Sequence, residues 1–236
     1  MKKLLLILAL VIGAAVVGKS LLSDQPVLLL ASGELKNPYA PGSALHAQQQ
    51  EFVDQFNADP QLRDRFAGTF TSKGLYAEMD AALRRGARSL DGAQLISVTR
   101  AMAAVIPRLQ QANCAKLMRP KDDFDRVLGA DVQGALERLP PRHHLNFWRF
   151  YLAALKAEVN DLPERPIDLA ARERALMELG RRFNQNDVAR LQRVVQDPRS
   201  APDADACWAI NAFTHNATQL SPDHAEALAR LIWGGQ

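Results

Sequence analysis

Few side chains in this sequence stand at spacings that chemistry requires. His143 and His144 are adjacent, and on a helix neighbouring side chains diverge by about 100°, so the two do not converge on one ion. The zinc-hydrolase pattern His-Glu-x-x-His is absent, and His46, His215 and His224 stand apart. No metal site and no cofactor is expected. There is no Gly-x-Ser-x-Gly and no glycine-rich loop that would cradle a phosphate. One acid has a context that could carry chemistry. Glu78 follows Gly74 and Tyr76 near an expected helix start, and a helix-borne glutamate can be the general acid of a glycan-cleaving enzyme. No second carboxylate stands at a readable spacing from it. An acid in the first turn of a helix, set against the positive end of the dipole, is the plainer reading.

Sulfur and aromatic groups come next. The only cysteines are Cys114 and Cys207. In an oxidising compartment two such residues are expected to pair, and a bond closing a loop of this size stabilises by roughly 4 to 5 kcal/mol in the chain-entropy model. Two buried free thiols are the alternative. As a nucleophile Cys207 is poorly placed, because Asp203 and Asp205 precede it and oppose a thiolate. The most aromatic stretch is Arg142 to Leu152, with Phe147, Trp148, Phe150 and Tyr151. Rings at helical spacing ordinarily fill a core. Were Trp148 exposed beside His144 and Arg149, those three would instead form a partner-binding surface.

What positions these residues begins with the leader. Met1 to Leu22 opens with Lys2 and Lys3 and continues through an apolar run from Leu4 to Val17. Two positive charges before such a run are read by export machinery. Leu4 to Val17 spans about 21 Å as a helix against a hydrocarbon core of roughly 30 Å, which is signal-peptide length. With Lys19 reaching the headgroups the run extends to Leu22 and becomes long enough for an anchor. Small-residue cleavage patterns are poor here, and no cysteine follows to take a lipid. The expectation is an uncleaved inner-membrane anchor at 1–22 with the rest on the periplasmic side; a soluble periplasmic or secreted form after cleavage is the alternative.

Charge has to be corrected for that leader. The chain carries 29 Lys and Arg against 26 Asp and Glu, for a formal net charge of +3. Lys2, Lys3 and Lys19 all precede the first acid, Asp24. Setting them aside leaves a neutral remainder, without the basic excess that phosphate backbones select. Nucleic acid is therefore not an expected partner.

Residues 23–43 contain Pro26, Pro38, Pro41, Gly33 and Gly42 and read as an irregular linker. From 44 to 236 helix signals follow one another. Ser43 is a candidate cap for the first helix; Asp59-Pro60 pairs an N-cap with a proline at the first helical position; Ser72 starts another helix. Asp91 with Gln94 resembles a capping box, and Pro107 is expected to break the long apolar stretch behind it, the second piece carrying Cys114 and Leu117. Asp122 and Asp123 open the next helix, Pro141 begins the aromatic one, and Asp168, then Asn186 or Asp187, start two more. The last two run from about Pro202 to Thr218 and from Ser221-Pro222 to about Trp233. No stretch outside the leader alternates like a strand. The expected fold is all-α, an irregular bundle of nine or ten helices, with a short α-solenoid of helical hairpins as the alternative.

These readings converge on an exported or membrane-tethered helical module of a bacterial-type cell envelope that binds another envelope protein, as an adaptor, assembly factor or inhibitor. Two alternatives stand beside it: a periplasmic glycan hydrolase using Glu78 as its acid, and a carrier of a small apolar ligand. Oligomeric state is not legible in the sequence.

Overall fold

A computed structural model describes residues 28–29, 34–67, 72–119 and 126–234. The leader at 1–22 and the start of the linker lie outside the described residues. Among those described, eleven α-helices and one 3-10 turn account for nearly all regular structure, and the fold is all-α. The exception is a two-residue antiparallel pairing of β1 (Leu28–Leu29) with β2 (Leu35–Lys36), in which Leu29 lies opposite Leu35. No helix among the described residues is long and apolar enough to cross a membrane.

The chain divides into two compact units. The first holds the described residues of 28–90 and 126–165. It comprises α1 (His46–Asn57), α2 (Pro60–Phe66), α3 (Ser72–Ala87), α6 (Arg126–Glu137) and α7 (Pro141–Val159). Its centre is α7, against which α1, α2 and α3 all pack. That explains why nine side chains of α7, from His144 to Ala157, are buried around most of its circumference. Phe52, Phe56 and Phe66 add rings from α1 and α2. The α3–α7 packing is the most extensive in this unit and is bridged at its edge by Arg85 and Glu158, 2.6 Å apart.

The second unit holds 91–119 and 166–234. It contains α4 (Gly92–Val105), a 3-10 turn (Ile106–Arg108), α5 (Gln111–Lys116), α8 (Leu169–Gly180), α9 (Gln185–Gln196), α10 (Asp203–Thr218) and α11 (Pro222–Gly234). Here α10 packs on α4, α5 and α9, and α11 on α4 and α8. A buried hydrogen bond from Trp233 Nε1 to Thr99 Oγ1, 2.9 Å, pins α11 to α4. Thr99 in turn donates to Leu95 O, so neither polar atom of this pair is left unsatisfied in the core.

Local signals explain the helix ends. Asp59 accepts from Gln61 N and Leu62 N, with Pro60 at the first helical position. Asp91 and Gln94 form a full capping box. Asp168 accepts from Ala170 N and Ala171 N, and these donors hold its carboxyl below the usual range. Pro107 falls in the 3-10 turn that separates α4 from α5, with Cys114 on α5 as expected and Leu117 just past its end. Two expectations need correction. Ser43 makes a turn ahead of α1 and accepts from Leu45 N, while the helix begins at His46. Asn184, earlier than expected, caps α9 because only it can form a reciprocal box with Asp187. The helix expected to open at Asp122 is described from Arg126 onward.

Candidate functional site

Of the sequence-derived residues, Trp148 and Arg149 lie along the seam between α1 and α7, and His144 meets α6. Three contacts define the seam. Phe52 and Trp148 stack with ring centroids 5.1 Å apart. Arg149 Nη2 lies 3.5 Å from Glu51 Oε1, and Lys156 Nζ lies 3.7 Å from Asp59 Oδ2. The first two lie on α1 and the third at Asp59, the N-cap of α2, so α7 meets α1 near Trp148 and the α1–α2 turn near Lys156.

The middle of the seam is apolar and closed. Trp148 is 8% exposed and also stacks on Tyr151 at 5.8 Å, while burial pushes the Tyr151 hydroxyl far up from its ordinary value. His144, 2% exposed, directs Nε2 at Leu136 O of α6. Burial lowers its proton affinity, opposed by the Leu136 carbonyl and by Glu137. The neutral ring therefore donates from Nε2, and Nδ1 is an acceptor without a partner among the protein's own atoms. Of the three residues named as a candidate partner-binding surface, two are core, in line with the expectation that rings at helical spacing fill a core. Only Arg149 faces solvent, its side chain 64% exposed. The reason is the number of neighbours: a helix packed by three others has no free side wide enough to expose an indole.

The solvent flank of the seam is polar. Toward the end of α7 it opens into a groove of about 540 Å³ between Gln55, Asp59, Gln61, Lys156 and Asn160, floored by Ala58 and Pro60. Arg149, Lys156 and Asn160 fall on one face of α7, seven and four residues apart. This flank thus presents two ion pairs and three amide side chains, groups suited to a polar protein surface. Sequence reading missed it, because its α1 half consists of glutamines and acids that look like any solvated face.

The other expected residues are elsewhere. Cys114 and Cys207 are bonded, with Cα atoms 5.0 Å apart, joining α5 to α10 in the second unit. Asn211 Nδ2 donates to Cys207 O at 3.1 Å and lies 3.3 and 3.5 Å from the two sulfurs. Arg119 secures the neighbouring loop through Pro198 O, Ala201 O and Asp203. Glu78, on α3, meets Arg65 at 2.9 Å, a guanidinium in place of a second carboxylate. No cluster of three or more His, Cys, Asp or Glu side chains among the described residues is arranged to hold a metal ion.

Fold and seam together define an all-α, disulfide-bonded protein with a polar flank along the central helix of its first unit. No protein-family model matches the chain, nor does any curated protein or solved structure.

Proposed function

We propose that this protein is an exported or membrane-tethered helical module of a bacterial-type cell envelope, and that it works by binding another envelope protein on the α1–α7 flank. The observation that carries the reading is the Cys114–Cys207 bond, since disulfides persist in oxidising spaces and are rare where thiols are kept reduced. It agrees with the export signal expected of Lys2, Lys3 and Leu4 to Val17. Binding rather than turnover is supported by what the carboxylates do: Glu51, Asp59, Glu78, Glu158 and Asp205 each pair with a basic side chain and hold helices together. On the flank, Arg149, Lys156 and the amides of Gln55 and Asn160 supply the directional contacts that an interface rim uses.

A photo-reactive amino acid at Gln55 or Asn160 of the full-length protein, irradiated in cells, tests this directly. A discrete crosslinked envelope protein, lost on Lys156→Glu, is the expected result. Equal, diffuse labelling from Gln55 and from a control site at Arg199 would overturn the docking surface. An alkaline-phosphatase fusion active only on the cytosolic side would overturn the compartment.

A further inference from the structure

Asn57, at the end of α1, holds the linker by its main chain. Leu35 N donates to Asn57 Oδ1 at 2.8 Å, and Asn57 Nδ2 donates to Leu35 O at 2.9 Å. One amide thus meets both backbone groups of one residue, as the edge of a neighbouring strand would. Leu35 is 2% exposed. Beside it Asn37 Nδ2 donates to His46 O and to Gln50 Oε1, both at 3.0 Å, and Arg63 of α2 pairs with Glu34 at 3.8 Å. The pairing of β1 with β2, Leu28 opposite Lys36, extends this clamp toward the leader. Every residue in it belongs to the first unit. Residues 23–27 are then all that separates Leu22, the end of the expected anchor, from the clamped chain. Fully extended they cover about 20 Å at most, whereas a linker free from 23 to 43 would cover about 70 Å.

We infer that this clamp seats the first unit on the membrane surface, and that the partner of the α1–α7 flank is a protein embedded in the same membrane; both follow from the uncleaved anchor proposed above. The groove of the flank lies at the clamped end of α1, since Gln55 and Ala58, which line it, bracket Asn57 in the sequence. A helix with its side chains is about 10 to 12 Å across, so groove and clamp are separated by about that much. Adding a strand spacing of about 5 Å keeps the path from Leu22 to the groove on the order of 40 Å. Asp59, Lys156 and Asn160 in its lining are groups that hydrocarbon excludes. They suit the hydrated part of a membrane protein just outside the bilayer core.

The full-length, disulfide-bonded protein, reconstituted in vesicles of phosphatidylethanolamine with a minority of phosphatidylglycerol, provides the test. Hydrogen exchange reads the clamp: the Leu35 amide should be protected, and should exchange roughly tenfold faster or more in Asn57→Ala. Asn37→Ala, which frees the contacts to His46 and Gln50, serves if that variant does not fold. A fluorescent amino acid at Gln55, which leaves the cysteines untouched, reads the seating by energy transfer to acceptor-labelled headgroups. Transfer should be strong in wild type and fall when about twenty Gly and Ser residues, roughly 25 Å of root-mean-square reach, are inserted between Pro26 and Val27. An unprotected Leu35 amide in wild type would overturn the clamp. Equal transfer from both chains, with an intact mass that retains the leader, would overturn the seating. A mass lacking the leader would instead sink the anchor, and the seating with it, while leaving Leu35 protected. In cells, the protein crosslinked from Gln55 should stay in the membrane through carbonate extraction; its release would overturn the partner assignment.

Discussion

A β-carbon placed on Gly86 would fall 1.8 Å from the carbonyl oxygen of Ala154. No real contact is that short, so α3 and α7 approach each other at Gly86 as closely as two backbones can. A glycine within a helix costs about 1 kcal/mol relative to alanine, and here that cost is the condition for the crossing.

Gly86→Ala is therefore expected to destabilise the first unit despite its better helix propensity. The displaced atom is backbone, and overpacking of this kind costs about 1 to 3 kcal/mol or more. Gly92→Ala makes the control. Its β-carbon would meet the Glu226 side chain at 2.1 Å, and that carboxylate, 42% exposed and paired with Arg230, can swing aside. Urea titrations should show a clearly lower midpoint for Gly86→Ala and a midpoint near wild type for Gly92→Ala.

The disulfide should matter most to the second unit. Cys114 lies on a helix of six residues that would be marginal unattached, and the bond fastens it to α10. Cys114→Ser with Cys207→Ser, or reduction of wild type, is expected to lower unfolding stability by about 2 to 5 kcal/mol. Denaturant titration with and without dithiothreitol measures it, and the double serine variant should show no further response to reductant.

How these relationships were distributed in the sequence explains what could be read from it. Caps at Asp59, Asp91 and Asp168 and the proline at 141 were legible, because a helix end is decided by residues within one turn. The cysteine pairing was legible because only two cysteines exist. The α1–α7 seam was not. It joins residues about 97 positions apart, and nothing local distinguishes the buried Gln49 from the exposed Gln55. The ring spacing of α7 pointed to a core helix and left an exposed Trp148 as the alternative, and the three helices packed around α7 decide between them.

His144 gives the fold a pH dependence whose sign can be worked out. Burial lowers its proton affinity in the folded state below the ordinary value of 6.5. The unfolded chain therefore binds more protons in this range, and stability rises with pH. The contribution is complete above about pH 7.5, and declines as pH falls through 6.5 toward the lower folded value. In His144→Gln the slope of unfolding free energy between about pH 5.5 and 7.5 should flatten relative to wild type. Since His46, His143, His215 and His224 are unchanged in that variant, the difference between the two profiles isolates the buried ring.

Glu78 separates the binding reading from glycan hydrolysis. Its pair with Arg65 is close to half exposed on both sides, 45% and 42%, where water screens the charges and the long side chains retain their freedom. Glu78→Gln is expected to change stability by less than about 1 kcal/mol. It should also leave the crosslinking at Gln55 intact, because the flank lies on α1 and α7 while Glu78 belongs to α3. Purified cell wall embedded in a gel provides the opposing readout. Clearing by wild type that disappears in Glu78→Gln would make this glutamate a proton donor, and would move the protein's work from the α1–α7 flank to the α2–α3 edge where Arg65 holds it.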